Sequence, residues 1–261
     1  MEITVNLVCD QSVAAIYKSS AQRARVISES WVEHNGFCIA CNSDFLRRST
    51  ANTKCTDFAC EFCAHQYELK SFTHRPSKSL VDGAYGAMIG RIRDGSAPTL
   101  MLLHRSKSWE IISFSAINSV FLTPDVIDQR KPLRAAAARA GWVGCNIRLD
   151  RIAAGGEVYL VRSGTVRSKK DVRTDFQKFL SLRELPAGQR GWTILTLEIV
   201  RSLGLRHFHL SDVYAKEANF VARFPNNNNV RAKIRQQLQI LRDRGYLQFD
   251  GGGAYSMKDR L

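Results

Sequence analysis

Two pairs of cysteines constrain the fold of this 261-residue chain more than any other feature of its sequence. Cys38 and Cys41 form one Cys-x-x-Cys pair, Cys60 and Cys63 form a second, and 18 residues separate the two pairs. This spacing is typical of two knuckles that present four thiolates to one tetrahedral Zn2+ ion. Because the protein would fill all four positions, no position remains for water, and we expect a structural site. Four independent core cysteines are the alternative.

The other cysteines and the hydropathy of the chain bear on the compartment in which the protein is expected to act. Cys9, Cys55 and Cys145 lack the paired spacing, and we interpret them as ordinary core or surface thiols. The first twenty residues contain no basic start followed by an apolar stretch, and no run approaches the roughly 18 apolar residues of a membrane span. We therefore expect a cytoplasmic protein without a membrane partner, in which cysteines stay reduced and can bind metal.

The composition favours a globular protein that binds a polyanion. Apolar residues make up 44% of the chain, which is enough to form cores and excludes a disordered tail. Basic residues outnumber acidic ones by 38 to 24, for a net charge of +14 and an isoelectric point near 9.8. Such a balance favours nucleic acid as the partner. A basic surface without a partner is the alternative, since charge alone names no function.

The first 185 residues alternate between helical and strand-like patterns. Apolar residues at helical spacing predict helices over Ser12–Asn35 and Ser79–Arg93. Between them, Thr56–Phe72 is predicted to form two short strands joined by the tight connection EFCAHQ. Further strand-like runs are TLMLLH from Thr99, WEIISF from Trp109 and EVYLV from Glu157. This order predicts a mixed α/β domain.

A polar segment with helix breakers, Leu185–Gln189, separates this pattern from one of helices alone. We therefore predict two domains, residues 1–185 and residues 186–261. The second is predicted to contain three helices followed by a hairpin around a glycine-rich turn, the order of a winged helix-turn-helix. The predicted helices are Thr193–Leu203, Leu210–Asn219 and Asn229–Arg244, the last preceded by a polar run, residues 226–229, that can supply a cap.

Three charged residues on the predicted strand pair form the arrangement D-x10-E-x-K. They are Asp57, Glu68 and Lys70. Residues two apart on a strand point to the same face, so Glu68 and Lys70 share one face, and a neighbouring strand can bring Asp57 beside them. Two carboxylates can hold Mg2+ against a scissile phosphate, and a lysine can help to position the attacking water. The backbone carbonyl of Leu69 is a further candidate ligand.

This spacing alone is weak evidence, because solvated surface charges produce it by chance. The context strengthens it, since Cys60 and Cys63 lie in the connection between the two strands. A zinc ion there would hold the geometry of the carboxylate site directly. Glu29 or Glu33 on the first helix is a possible further carboxylate, for which a solvated helix face is the favoured interpretation.

The last predicted helix has one apolar and one polar side. Its predicted packing side comprises Val230, Ile234, Gln237, Leu238 and Leu241. The opposite side carries Asn228, Ala232, Arg235, Gln236 and Gln239, with Arg231 and Arg242 flanking it. Asn and Gln can bond an adenine edge and Arg a guanine edge, so this side has the chemistry of a major-groove reader. An ordinary surface helix of similar composition is the alternative.

Several stretches resemble one known family, the methyl-directed restriction endonucleases typified by DpnI. They are RARVISESWV, the two Cys-x-x-Cys pairs, YELKS, DGAYGAMIGR, QRKPL, ARAGWVGCN, RGWTI and KIRQQLQILRD, in order along nearly the whole chain. The resemblance implies a PD-(D/E)xK nuclease domain with an inserted zinc knuckle, followed by a winged helix. The catalytic pattern maps to Asp57, Glu68 and Lys70. Thr56 replaces the proline of the motif, a departure that removes no metal ligand.

The resemblance also implies a substrate and a setting. The substrate is double-stranded DNA with 6-methyladenine in GATC, cut by a monomer in the bacterial cytoplasm, and both domains are expected to read the site. A methyl group in the major groove requires an apolar or aromatic partner. Our hypothesis is that Trp142, with Arg139 nearby, contacts the methyl group from the catalytic domain. A buried core tryptophan is the alternative.

Two other functions fit the same sequence. One is a non-catalytic DNA-binding regulator with a zinc-stabilised first domain, which the D-x10-E-x-K arrangement disfavours. The other is a repair or junction nuclease of the same superfamily that acts on a different substrate, and only an activity measurement distinguishes it from a methyl-directed enzyme.

Overall fold

A computed structural model describes residues 5–49 and 56–258, so Cys55 lies outside the described residues. The chain forms two compact units, each built from three separate segments. Unit 1 takes its described residues from Met1–Ser77, Ala97–Ser119 and Gly155–Gln177. Unit 2 takes its described residues from Lys78–Ser96, Val120–Ala154 and Lys178–Leu261.

Seven α-helices and thirteen strands occur within the described residues. The helices are α1 Ser20–Asn35, α2 Tyr85–Arg93, α3 Lys169–Gln177, α4 Ala187–Ser202, α5 Leu210–Tyr214, α6 Glu217–Arg223 and α7 Val230–Asp243. The strands are β1 Arg47–Arg48, β2 Phe58–Ala59, β3 Gln66–Phe72, β4 Ser79–Ala84, β5 Thr99–Arg105, β6 Ile111–Ile117, β7 Ile127–Gln129, β8 Gly144–Arg148, β9 Glu157–Arg162, β10 Thr165–Val166, β11 His207–His209, β12 Leu247–Gly251 and β13 Ala254–Met257. The mixed α/β prediction is confirmed. None of these helices has the length and apolar composition to cross a bilayer.

Unit 1 is organised around a seven-stranded sheet with the order β1-β2-β3-β5-β6-β9-β10. Strand β3 pairs parallel with β5, and the other neighbours in this sheet pair antiparallel. Four consecutive residues of β5, Leu100–Leu103, are fully buried, as expected for a central strand covered on both faces. Helix α1 contacts β3, and α3 contacts β9. The strands predicted from Thr56–Phe72, Thr99, Trp109 and Glu157 are thus confirmed as β2, β3, β5, β6 and β9.

Two of the predicted helices were too long. Ser12–Asn35 forms a short 3-10 turn at Ser12–Ala14 and then α1, which begins at Ser20. Ser79–Arg93 divides into strand β4 and helix α2. The first part becomes a strand because Ser79 to Asp82 pair with β8, a partner about 65 residues away that local periodicity cannot show.

Unit 2 combines two small sheets with the C-terminal helices. One sheet has the order β4-β8-β7, and the other, β11-β13-β12, forms the wing beside α4 to α7. We predicted that Leu185–Gln189 forms a polar linker between the two domains. This prediction is partly wrong, because α4 already begins at Ala187 with Pro186 as its N-cap. The predicted helix Leu210–Asn219 is also wrong in part, since it is interrupted between α5 and α6. The predicted helix at Asn229–Arg244 is confirmed as α7, although the Asn229 side chain makes no capping bond.

Buried arginines connect α4 and α6 to the segment Val120–Ala154 within unit 2. The Arg190 guanidinium donates to the Leu122 carbonyl at 3.2 Å. Arg223 Nε lies 2.5 Å from Asp125 Oδ2 and is largely buried there. The compact units therefore divide the chain at positions other than residues 185 and 186, where we predicted the domain boundary, and that boundary stays a prediction.

The ion pair between Arg223 and Asp125 leads to a stability prediction for two glycines of α4. A Cβ at residue 191 would collide with Asp125 Oδ1, and Arg223 holds that carboxylate so that it cannot move away. We expect Gly191→Ala to lower the free energy of unfolding by about 1–3 kcal/mol. Gly188→Ala is the control, because a Cβ there meets no atom within 4 Å.

The control should be neutral or raise the stability by up to about 1 kcal/mol, since alanine has the higher helix propensity. Urea denaturation of the two variants and the wild type measures both effects. Equal midpoints for Gly191→Ala and Gly188→Ala would contradict the proposed contact.

Candidate functional site

Strands β2 and β3 bring the three residues of the D-x10-E-x-K arrangement together. Asp57 precedes β2, and its N–H donates to the Tyr67 carbonyl at 2.9 Å. The N–H of Leu69 donates to Asp57 Oδ2 at 2.7 Å. Lys70 Nζ lies 2.6 Å from Glu68 Oε1, and both side chains are largely shielded from solvent. The structure therefore brings Asp57 beside Glu68 and Lys70, as the strand pattern predicted.

These residues line a cleft of about 470 Å³ whose other wall is α1. The α1 side includes Ala24, Arg25 and Glu29. Glu29 is only 14% exposed and pairs with Arg25 at 2.5 Å. This hydrogen bond raises the pKa of Arg25, and the charge of Asp57 adds to the effect. The preferred interpretation of Glu29 as part of a solvated helix face is thus wrong, whereas Glu33 is 40% exposed beside Arg48.

The donor set of the cleft consists of hard oxygen atoms. Glu68 is only 8% exposed, so its carboxylate is removed from bulk water. The N–H and C=O groups of one strand residue point to the same edge, so the Leu69 carbonyl faces the same edge as the N–H that bonds Asp57. Carboxylates and a backbone carbonyl are ligands that suit Mg2+ or a similar divalent cation. The cleft can therefore hold a divalent metal beside a lysine.

The four paired cysteines form one cluster in unit 1. All four sulfur atoms lie within 4.8 Å of one another. The distance is 3.6 Å for the Cys38–Cys63 pair and for the Cys41–Cys60 pair. A tetrahedral ion with Zn–S bonds of about 2.3 Å requires sulfur separations of about 3.8 Å. The cluster therefore has the size and chemistry of a zinc knuckle.

Backbone groups of the second knuckle favour one thiolate in this cluster. Burial raises the pKa of the Cys38 thiol. Burial acts in the same direction on Cys60, but hydrogen bonds from the backbone of Cys63 and Phe62, together with those of the Cys41 and Cys38 thiols, outweigh it and lower the pKa of Cys60 to about 7. These hydrogen bonds favour the thiolate form of Cys60, which is the form that binds a metal.

Two further residues that the sequence did not reveal support the cysteine cluster. Arg173 of α3 donates to the carbonyls of Cys38 at 3.1 Å and Ser43 at 2.8 Å, and it also pairs with Asp44. The Tyr67 hydroxyl lies 3.1 Å from Cys38 Sγ. Arg173 is more than 120 residues from the first knuckle, so no local pattern could have identified it. Burial raises the pKa of Tyr67 well above its usual range.

Helix α7 has the two sides that the sequence predicts. Its buried residues are Val230, Ile234, Gln237, Leu238 and Leu241, the predicted packing side. The exposed residues on and beside its other side are Asn228, Arg231, Ala232, Arg235, Gln236, Gln239 and Arg242. Arg231 pairs with Glu217 at 2.8 Å, and Arg235 donates to the Tyr214 hydroxyl at 2.7 Å. The polar side is therefore accessible, and two of its arginines are held in place by α5 and α6.

Trp142 lies in unit 2, whereas Asp57, Glu68 and Lys70 lie in unit 1. Its ring is half-buried and packs against Gly144, where a Cβ would come within 2.8 Å of the ring. The Arg139 guanidinium lies 4.9 Å from the ring centroid. The alternative of a fully buried core tryptophan is thus excluded. The preceding loop, residues 130–140, is largely exposed and carries four basic residues and no acidic one.

The cysteine geometry predicts that the protein carries one structural metal ion. Cys63 is exposed, so Cys63→Ser removes a ligand with little loss of packing. We expect this variant to lose bound zinc and to unfold at a lower temperature, because metal binding at a structural site contributes to folding. Metal analysis and thermal unfolding with and without a chelator measure both effects.

The control is Cys9→Ala, which changes a cysteine outside the cluster. It should keep its zinc whatever its stability. Full zinc retention by Cys63→Ser, or an unfolding temperature insensitive to chelator in the wild type, would contradict the assignment.

Two protein-family models match successive parts of the chain. The model described as DpnI, the Dam-replacing family, matches residues 5–185. The model described as the Dam-replacing HTH domain matches residues 188–257. The chain therefore belongs to the Dam-replacing family typified by DpnI, a family of restriction endonucleases that bind DNA.

Proposed function

We propose that this protein is a methyl-directed type II restriction endonuclease. In this proposal it hydrolyses phosphodiester bonds of double-stranded DNA at GATC sites that carry 6-methyladenine, with Mg2+ as the catalytic metal. The observation that carries the proposal is the cleft in which Asp57, Glu68 and Lys70 converge, in a chain of a restriction endonuclease family. The arrangement is that of a PD-(D/E)xK site with Thr56 in place of the proline.

The residues of the cleft have distinct roles in this mechanism. Asp57 and Glu68 supply carboxylate oxygens, and the Leu69 carbonyl adds a third oxygen. Mg2+ bound there would acidify a water molecule and neutralise the charge that develops on the phosphate. The Leu69 N–H fixes the orientation of Asp57 at 2.7 Å. Lys70 offsets the charge of the buried Glu68 carboxylate and can donate to the attacking water.

The cysteine cluster has a structural role in the proposal. Cys60 and Cys63 lie in the connection between β2 and β3, and Cys60 N donates to the His65 carbonyl at 3.0 Å within that connection. A zinc ion on the four cysteines would fix this connection and with it the distance between Asp57 and Glu68. Zinc therefore supports the active site without touching the substrate.

DNA recognition is assigned to two surfaces of unit 2. The exposed side of α7 offers Asn228, Arg231, Arg235, Gln236 and Gln239 to the major groove. The second surface is the basic loop that ends at Arg139 and Trp142, where an aromatic ring can contact a methyl group. This loop lies within residues 1–185, the predicted catalytic domain, and within compact unit 2.

The proposed setting follows from this substrate. A nuclease that cuts only methylated DNA can act in a bacterial cytoplasm whose own DNA lacks the methyl group, where it destroys incoming methylated DNA. We propose that the protein acts as a monomer on one site. No membrane partner is needed for this activity.

Digestion of one plasmid, prepared with and without adenine methylation at GATC, tests the proposal. Wild type with Mg2+ should cut only the methylated plasmid. Asp57→Asn keeps the size of the side chain but weakens the metal site, and its cutting rate should fall by more than about 100-fold, beyond the 10- to 100-fold typical of an outer-shell change. Glu110→Gln, which alters an exposed carboxylate in unit 1, should keep the wild-type rate.

The outcomes separate the three functions. Methyl-selective binding without cutting by the wild type would indicate a regulator. Cutting that ignores methylation, or that occurs on branched or damaged DNA, would indicate a repair nuclease of the same superfamily. Equal rates for Asp57→Asn and the wild type would refute the assigned site.

A second prediction concerns Trp142. Since burial of one methyl group contributes about 0.8 kcal/mol, Trp142→Ala should reduce the preference for methylated DNA by roughly fourfold per methyl group contacted. Leu133→Ala, at an exposed position of the same loop, is the control and should leave the preference unchanged. Binding titrations on methylated and unmethylated duplexes measure the ratio. Lower stability with an unchanged preference would refute the role of Trp142.

A further inference from the structure

We propose that Tyr67 is a positioning residue that couples the cysteine cluster to the nuclease site. Its hydroxyl donates a hydrogen bond to the metal-bound thiolate of Cys38, while its backbone holds Asp57. This inference rests on the proposal that the four cysteines bind zinc. It adds a residue that lies outside both the four ligands and the three residues of the nuclease motif.

The hydrogen-bond geometry determines the direction of the Tyr67 bond. Tyr67 Oη lies 3.1 Å from Cys38 Sγ. The backbone N–H of Ile39 donates to the same Tyr67 oxygen at 3.2 Å. A phenol has one hydrogen, and a metal-bound thiolate can only accept. The Tyr67 hydroxyl hydrogen is therefore directed to Cys38 Sγ, and the Tyr67 oxygen accepts a hydrogen bond from the N–H of Ile39, the residue after Cys38.

The hydrogen bond between Tyr67 and Cys38 is buried, so its loss is expected to lower the affinity of the cluster for metal. Tyr67, Cys38 and Ile39 are all fully buried, so bulk water cannot replace a lost donor. The ring is fixed by His65, whose ring centroid lies 4.9 Å away. Hydrogen bonds to a charged acceptor are roughly twice as strong as neutral ones, and a buried charge without donors is costly. Tyr67 therefore stabilises the thiolate form that zinc requires.

The same residue contacts the strand that carries the first catalytic carboxylate. The Tyr67 carbonyl accepts from the Asp57 N–H at 2.9 Å, and Tyr67 pairs with Phe58 in the β2–β3 ladder. The next residue in β3 is Glu68, the second carboxylate. Tyr67 thus contacts the knuckle through its side chain and the Asp57 segment through its backbone, so a displaced knuckle would shift the carboxylates.

Tyr67→Phe tests the inference because it removes the hydroxyl and keeps the buried ring. We expect zinc affinity, measured by competition with a chelator, to fall by about tenfold or more, as is typical when an outer-shell partner is lost. With Co2+ as the probe, the sulfur-to-cobalt charge-transfer band should move to longer wavelength. Tyr159→Phe makes the same change on β9 and should match the wild type.

The outcomes distinguish failure of the inference from failure of the zinc assignment. A wild type that binds neither zinc nor Co2+ overturns both. A wild type that binds zinc, together with unchanged affinity and an unchanged Co2+ spectrum in Tyr67→Phe, overturns the inference alone. Should Tyr67→Phe fail to fold, 3-fluorotyrosine at position 67 supplies a stronger donor, and zinc should then bind more tightly. Unchanged zinc affinity in that protein overturns the inference.

Discussion

Strands β2 and β3 pair antiparallel with Phe58 opposite Tyr67, and the positions of both candidate sites depend on this pairing. It places the Asp57 carboxylate against the Leu69 N–H, one residue from Glu68 and Lys70. Its connection carries two of the four cysteines. A strand of two residues has few ladder bonds of its own, so the cysteine cluster adds to the contacts that hold it against β3. The cysteine cluster and the cleft with Asp57, Glu68 and Lys70 are therefore linked by one short hairpin.

Some of the basic residues form contacts that stabilise the fold, and others lie exposed on the surface. Arg190 is buried and Arg223 partly buried in unit 2, where they bond a carbonyl and a carboxylate of the segment Val120–Ala154. Arg173 holds the first cysteine knuckle. The arginines on the exposed side of α7 and the cations of the loop before Trp142 remain accessible to phosphates. The net charge of +14 thus overstates the surface available to DNA, and only the folded chain separates the two groups.

Local patterns predicted the elements that depend on neighbouring residues. The buried side of α7 follows from helical periodicity, and β5 from a continuous apolar run. Sequence patterns gave wrong predictions where contact with a segment far away in the chain decides the local conformation. Residues 79–84 form a strand because β8 lies beside them, and Glu29 faces the cleft because α1 contacts β3.

The sequence by itself determined the chemistry of this protein: four cysteines at knuckle spacing, two carboxylates and a lysine in strand register, and a polar helix face. These features are local because ligand spacing and side-chain periodicity are properties of a few neighbouring residues. Tertiary structure decided which other groups join them. Arg173 reaches the first knuckle, and the Tyr67 hydroxyl meets Cys38, only because the sheet of unit 1 brings together segments far apart in the chain. Such contacts follow from long-range strand pairing and packing, which leave no periodic signal in the sequence.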